Sequence, residues 1–127
     1  MAKWSYGVTF TPMDMVREFH LAMGQPVDQP LEAGDLLDMR EQLIVEEYNE
    51  VVYADSKENL IKELADLLYV IYGYAVTFGI DLDEAFKRVH ESNMSKLDDN
   101  GKPIYREDGK VMKGPNYKKP DMRDLVK

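Results

Sequence analysis

Residues 57–78 read KENLIKELADLLYVIYGYAVTF. Leu60, Leu64, Leu67, Leu68, Val70, Ile71, Tyr74 and Phe78 recur at helical spacing and cover much of the circumference, the pattern of a helix enclosed on several sides. Ser56, with Asp55 before it and Glu58 after it, forms the cap that opens this helix, and Gly79 closes it. Upstream, Leu36, Leu37, Leu43, Ile44, Tyr48, Val51 and Val52 predict a second helix over about 35–54. Before that, Thr11-Pro12, with Asp14 in the first turn, starts a first helix whose stripe is Met15, Phe19 and Ala22 or Met23, and which Gly24 and Pro26 stop. Downstream, Asp81-Leu82-Asp83-Glu84 is a further capping box, leading through Ala85, Phe86 and Val89 toward Met94.

The short links between the second, third and fourth helices favour antiparallel neighbours. The expected fold is all-α: an antiparallel bundle of four main helices over residues 12–96, with a polar tail over 97–127, in one domain spanning 1–127. In the tail, Asp99-Asn100-Gly101 and Glu107-Asp108-Gly109 read as turns. The second lies between Pro103-Ile104-Tyr105 and Lys110-Val111-Met112, which predicts a short C-terminal β-hairpin. Gly114-Pro115-Asn116-Tyr117 and Pro120 argue against any regular element beyond it. Such a tail has no core of its own and must lie on the bundle or on a second subunit. Three partners from a chain this small hardly cover the third helix, so a homodimer or homotetramer is expected, with the functional site near the subunit interface.

The 127 residues are 44% hydrophobic and 31% charged, an ordinary globular mixture. The absence of cysteine excludes disulfide scaffolds, thiolate zinc sites, iron–sulfur clusters and cysteine nucleophiles. Sixteen Lys and Arg against 24 Asp and Glu leave a net charge of −8. That balance argues against nucleic acid and anionic membranes as partners, and it implies that a phosphate-bearing ligand needs a divalent cation as a bridge. No apolar run reaches membrane-spanning length, and Met1-Ala2-Lys3-Trp4-Ser5 has no signal-peptide core, so the expected setting is cytoplasmic.

Carboxylate placement carries the chemistry. Glu47 with Glu50, and Glu63 with Asp66, are three-residue pairs that each share a helix face. Glu47 falls between Leu43 and Val51 at four-residue steps, and Asp66 is followed by Leu67 and, at four residues, by Val70. Acids at the edge of an apolar stripe are costly unless neutralised. No base stands at matching positions on that face: Arg40 is seven residues from Glu47, and Lys62 reads as lying on the outer side of its helix. Folding the two helices together would gather four carboxylates, and oxygen-only ligands point to Mg²⁺ or Mn²⁺. A di-iron bundle would need Glu-x-x-His pairs, whereas His20 and His90 follow Arg17 and Lys87. The plainer alternative is a solvated acidic face on a non-catalytic helical adaptor.

Glu46-Glu47-x-x-Glu50, twelve intervening residues and Glu63-x-x-Asp66 resemble the EExxE…ExxD signature of the all-α nucleoside triphosphate pyrophosphohydrolases. That superfamily includes MazG, phosphoribosyl-ATP pyrophosphohydrolase and the dimeric dUTPases. The resemblance spans about residues 12–120, because Asn93-Met94-Ser95-Lys96 and Gly109–Tyr117 are similar to a MazG-like or phosphoribosyl-ATP-hydrolase-like subgroup. It implies that Glu47, Glu50, Glu63 and Asp66 hold Mg²⁺, that Glu46 orients or deprotonates the attacking water, and that Asn93 and Lys96 contact sugar and phosphates. The implied reaction converts a (d)NTP to the monophosphate and pyrophosphate. The alternative within the resemblance is phosphoribosyl-ATP hydrolysis in histidine synthesis.

Smaller signals have two readings each. Lys102, Lys110, Lys113, Lys118 and Lys119 either close over a polyphosphate or are solvated lysines guarding a hairpin edge. His20 either meets a base or sits on a helix face without such a role. Tyr69, Tyr72 and Tyr74 read mainly as core or subunit contacts.

Overall fold

A computed structural model describes residues 2–3, 9–32 and 34–127; most of the N-terminal stretch read above for a signal core lies outside the described residues. The chain forms two compact units, residues 1–82 and 83–127.

In the first unit, β1 (Ala2–Lys3) pairs antiparallel with β2 (Thr9–Phe10), Ala2 opposite Phe10. Helix α1 (Pro12–Ala22) begins where the sequence places it: the Thr11 hydroxyl accepts from the Asp14 amide and the Asp14 carboxylate accepts from the Thr11 amide. These satisfy two of the free amides that every helix start leaves. Helix α2 is Gly34–Val52 and α3 is Lys57–Thr77, capped by the Ser56 hydroxyl on the Asn59 amide at 3.1 Å. The four residues between them turn the chain back, and α2 packs along α3 as an antiparallel neighbour; α1 packs on α3 as well. Phe19 of α1 meets Tyr69 of α3 edge-to-face with centroids 5.7 Å apart.

Enclosure is concentrated at the carboxyl end of α3. Gly73, Ala75, Val76, Thr77 and the capping Phe78 are buried, with Val16 and His20 from α1 and Arg40 from α2. The Thr77 hydroxyl donates back to the Gly73 carbonyl at 2.7 Å. The loop after α1 then covers the helix end: the Asp28 and Gln29 amides donate to the Val76 and Thr77 carbonyls, and Arg17 holds Asp28 through two hydrogen bonds. The expected enclosure on several sides does not extend along the whole of α3, since Leu64 and Leu68 are each about half exposed in the single chain.

The three helices come close together at Gly73, where a Cβ would come within 3.3 Å of Arg40 Nη1 and 3.5 Å of His20 Nε2. The His20 Nδ1–H donates to the Pro26 carbonyl at 3.1 Å, which leaves Nε2 toward Gly73 and Arg40, and burial lowers the imidazole's pKa so that the neutral ring is favoured. Arg40 Nε and Nη2 are buried without a hydrogen-bond partner among the described residues, and desolvation lowers the pKa of this guanidinium. The consequence is register. Glu47 lies seven residues beyond Arg40 on α2, and Asp66 lies seven before Gly73 on the antiparallel α3. Two helical turns carry both onto one face, about 10 Å from the close contact.

In the second unit, α4 (Leu82–Met94) carries the tail along its carboxyl half. Arg88 holds Asp124 with two hydrogen bonds and the Asp121 carbonyl with a third, while the buried Ser92 hydroxyl donates to the Lys118 carbonyl. Gly114 sits where a Cβ would fall 2.7 Å from the Lys96 carbonyl oxygen. The expected C-terminal β-hairpin is absent. Its turn is present, with Gly109 at φ +87° and its amide on the Arg106 carbonyl, yet the arms share one isolated bridge, Tyr105 opposite Val111. Pro103 has no amide to extend a ladder on one arm, and on the other the chain must leave for the Gly114 contact. Beyond Pro120 the chain makes one 3₁₀ turn, Arg123–Leu125, where no regular element was expected.

Gly73→Val is expected to destabilise the protein by about 1–3 kcal/mol, because its methyls fall on the buried side chains of Arg40 and His20. A urea midpoint that does not move would show that Arg40 and His20 yield freely at this contact.

Candidate metal centre

The helix register brings together Glu47 of α2 with Glu63 and Asp66 of α3, and one carboxylate oxygen from each lies within 4.8 Å of the others. Glu63 is buried, whereas Glu47 and Asp66 are half-buried. Glu50 and Glu46 are exposed and stand outside this group. Three carboxylates in one place repel one another when charged. Burial, followed by the charges of Asp66 and Glu63, lifts Glu47 above the ordinary carboxylate range, with Lys62 opposing.

Lys62 is the residue that reading the sequence misplaced. Its ammonium stands 2.9 Å from Asp66 Oδ2 and 3.2 Å from Glu63 Oε1. The four-residue spacing from Lys62 to Asp66 is the signal that marks it, since such pairs meet on a helix surface. His20 is enclosed among α1, α3 and Arg40, with its Nδ1 committed to the Pro26 carbonyl. The other proposed substrate contacts belong to the second unit. Asn93 is exposed near the end of α4, Lys96 is half-buried just beyond it, and Lys110 and Lys113 are exposed in the tail, with Lys113 Nζ 4.8 Å from the Tyr117 ring centre.

The donor set fits a hard divalent cation. All three groups offer carboxylate oxygen, and no histidine or sulfur ligand stands with them. Mg²⁺, Mn²⁺ and Ca²⁺ favour such oxygen shells, at about 2.0–2.6 Å, and a double positive charge offsets the repulsion that lifts Glu47.

The sequence model of the phosphoribosyl-ATP pyrophosphohydrolase family matches residues 16–93, more than half of the chain, and that span includes all three clustered acids. The chain belongs to the phosphoribosyl-ATP pyrophosphohydrolase family. Membership in that family supports hydrolase activity in general. Among solved structures, the chain is similar to a candidate NTP pyrophosphohydrolase from Exiguobacterium sp. 255-15, at 23% identity, 93% coverage of each chain and a TM-score of 0.48. A comparison with curated protein sequences finds no match. Among the described residues, no single helix is long and apolar enough to cross a membrane.

Divalent-cation affinity is expected to rise with pH from the ordinary carboxylate value of 4.5 up through the raised value of Glu47, because the ion displaces a proton there. The metal-free fold moves the other way: a raised acid pKa stabilises it most below 4.5 and loses that contribution as Glu47 ionises. Calorimetric titration of Mg²⁺ at several pH values checks the sign. An affinity that falls with rising pH would remove Glu47 from the ligand set.

Proposed function

We propose that this protein is a Mg²⁺-dependent pyrophosphohydrolase that breaks the anhydride bond between the α and β phosphates of a nucleotide, with Mn²⁺ as a substitute ion. The observation that carries this reading is the meeting of Glu47, Glu63 and Asp66 inside the segment matched by the family. Those three residues would hold the ion, with Glu50 one turn further along α2 as an added ligand. Mg²⁺, when bound, supplies Lewis acidity and screens the polyphosphate from a chain of net charge −8. The packing of α2 on α3 keeps the three oxygens together before any ligand arrives, so little reorganisation remains for the reaction. The exposed Glu46 is the proposed acceptor of the proton from the attacking water. The water oxygen bonds to phosphorus, the bridging P–O bond breaks, and pyrophosphate leaves with the electron pair.

Phosphoribosyl-ATP is the first substrate to expect, because the family that matches is the one named for it. Ordinary NTPs and dNTPs form the second reading, favoured by Asn93-x-x-Lys96 and the long tail with Lys110 and Lys113. A homodimer or homotetramer belongs to the proposal too. Tyr48 and Val52 on α2, and Leu64 and Leu68 on α3, are each half exposed or more in the single chain, and a second copy would cover them.

Incubation with phosphoribosyl-ATP and with each NTP and dNTP, resolving pyrophosphate from orthophosphate, tests the reaction. Pyrophosphate with the monophosphate is expected, abolished by EDTA and lowered about 100-fold or more in kcat/KM by Glu63→Gln or Asp66→Asn. Orthophosphate release would overturn the bond assignment, and no turnover of any substrate would favour the adaptor. In sedimentation velocity, a monodisperse monomer at micromolar concentration would end the oligomer proposal.

A further inference from the structure

Glu63 presents an unusual pairing. Its side chain is only 6% exposed, yet its salt-bridge partner, Lys62, is 69% exposed. The same ammonium is shared with Asp66 at 2.9 Å, so one solvent-exposed cation sits on two of the three clustered carboxylates. A buried carboxylate without a counter-charge is costly, and here the counter-charge reaches it from solvent on a flexible stem. Lys62 is 69% exposed, in contrast with Arg40, whose guanidinium is buried between helices. Lysine suits exchange of this kind: its ammonium is compact and well hydrated and lacks the planar double grip of arginine on a carboxylate.

We propose that Lys62 is a built-in counter-ion of the acid cluster, which a divalent cation must displace in order to bind. This rests on the reading of Glu47, Glu63 and Asp66 as metal ligands. The ammonium and the metal ion compete for the same oxygens of Glu63 and Asp66. In the metal-free protein Lys62 limits the repulsion among three acids and keeps them assembled. When the ion enters, Lys62 swings into solvent without disturbing any packed residue. Lys62 therefore sets the metal concentration at which the site fills, making it weaker than its carboxylates alone would be.

The test is calorimetric titration of Mn²⁺ and Mg²⁺ into the substrate-free wild type, Lys62→Met, Lys62→Arg and Glu63→Gln, together with thermal melting of each metal-free protein. Lys62→Met is expected to bind Mn²⁺ about three- to tenfold more tightly, in keeping with the modest strength of solvent-exposed ion pairs. Metal-free, it should melt below the wild type and gain more from added metal. Lys62→Arg, which keeps the charge, should stay near the wild-type affinity or bind more weakly. Unchanged or weaker binding in Lys62→Met, while Glu63→Gln abolishes it, would overturn the counter-ion role and leave the metal site standing. No binding by the wild type or by Lys62→Met would overturn the metal reading and this inference together, whereas binding by Lys62→Met alone would support both.

Discussion

Close approach at Gly73 is the constraint on which the first unit depends. Residue 73 without a side chain lets a buried arginine from α2 and a buried histidine from α1 reach the same point of α3. Three helices are thereby fixed at one height, and fixing a height on an antiparallel pair fixes every other opposition along it. Glu47 and Asp66 meet because each lies seven residues from that contact in opposite chain directions. The acid cluster is thus a consequence of steric fit two turns away, and electrostatics alone would drive its members apart.

That arrangement stores like charge at a place the rest of the chain does not relieve. The guanidinium of Arg40 is spent in the interior, and arginines of the second unit hold tail aspartates, as Arg88 of α4 holds Asp124 and Arg123 holds Asp121. Lys62 alone is paired with the cluster's acids among the described residues. A site of three carboxylates and one exposed ammonium is an anionic site, and its oxygen donors are of the kind that hard cations take.

In the second unit the tail gains its order by borrowing from α4. Ser92 and Ser95 turn their hydroxyls to the backbone of Lys118, and Gly114 lies against the Lys96 and Leu97 carbonyls. These contacts explain why the turn at Glu107–Gly109 does not grow into a hairpin. Turn residues specify a reversal of the chain, but a ladder also needs free amides on both arms and room to extend, and the docking at Gly114 removes the second.

What the sequence by itself determined is local. Thr11, Ser56, Gly24 and Gly79 mark helix ends through hydrogen bonds and backbone angles made within a few residues. The periodic apolar residues declare helices, and the acids at the margin of those stripes mark which helices supply the cluster. Whether four acids or three would meet was a matter of register, which periodicity leaves open because any slide by a whole turn preserves the stripe. Only the tertiary structure decided that Glu47 is the acid of α2 that meets Glu63 and Asp66, that Lys62 reaches in, and that His20 turns to the core. Each of those outcomes depends on where a neighbouring helix stands, and Arg40, His20 and Gly73 settle that by fitting together at a distance from the site they position.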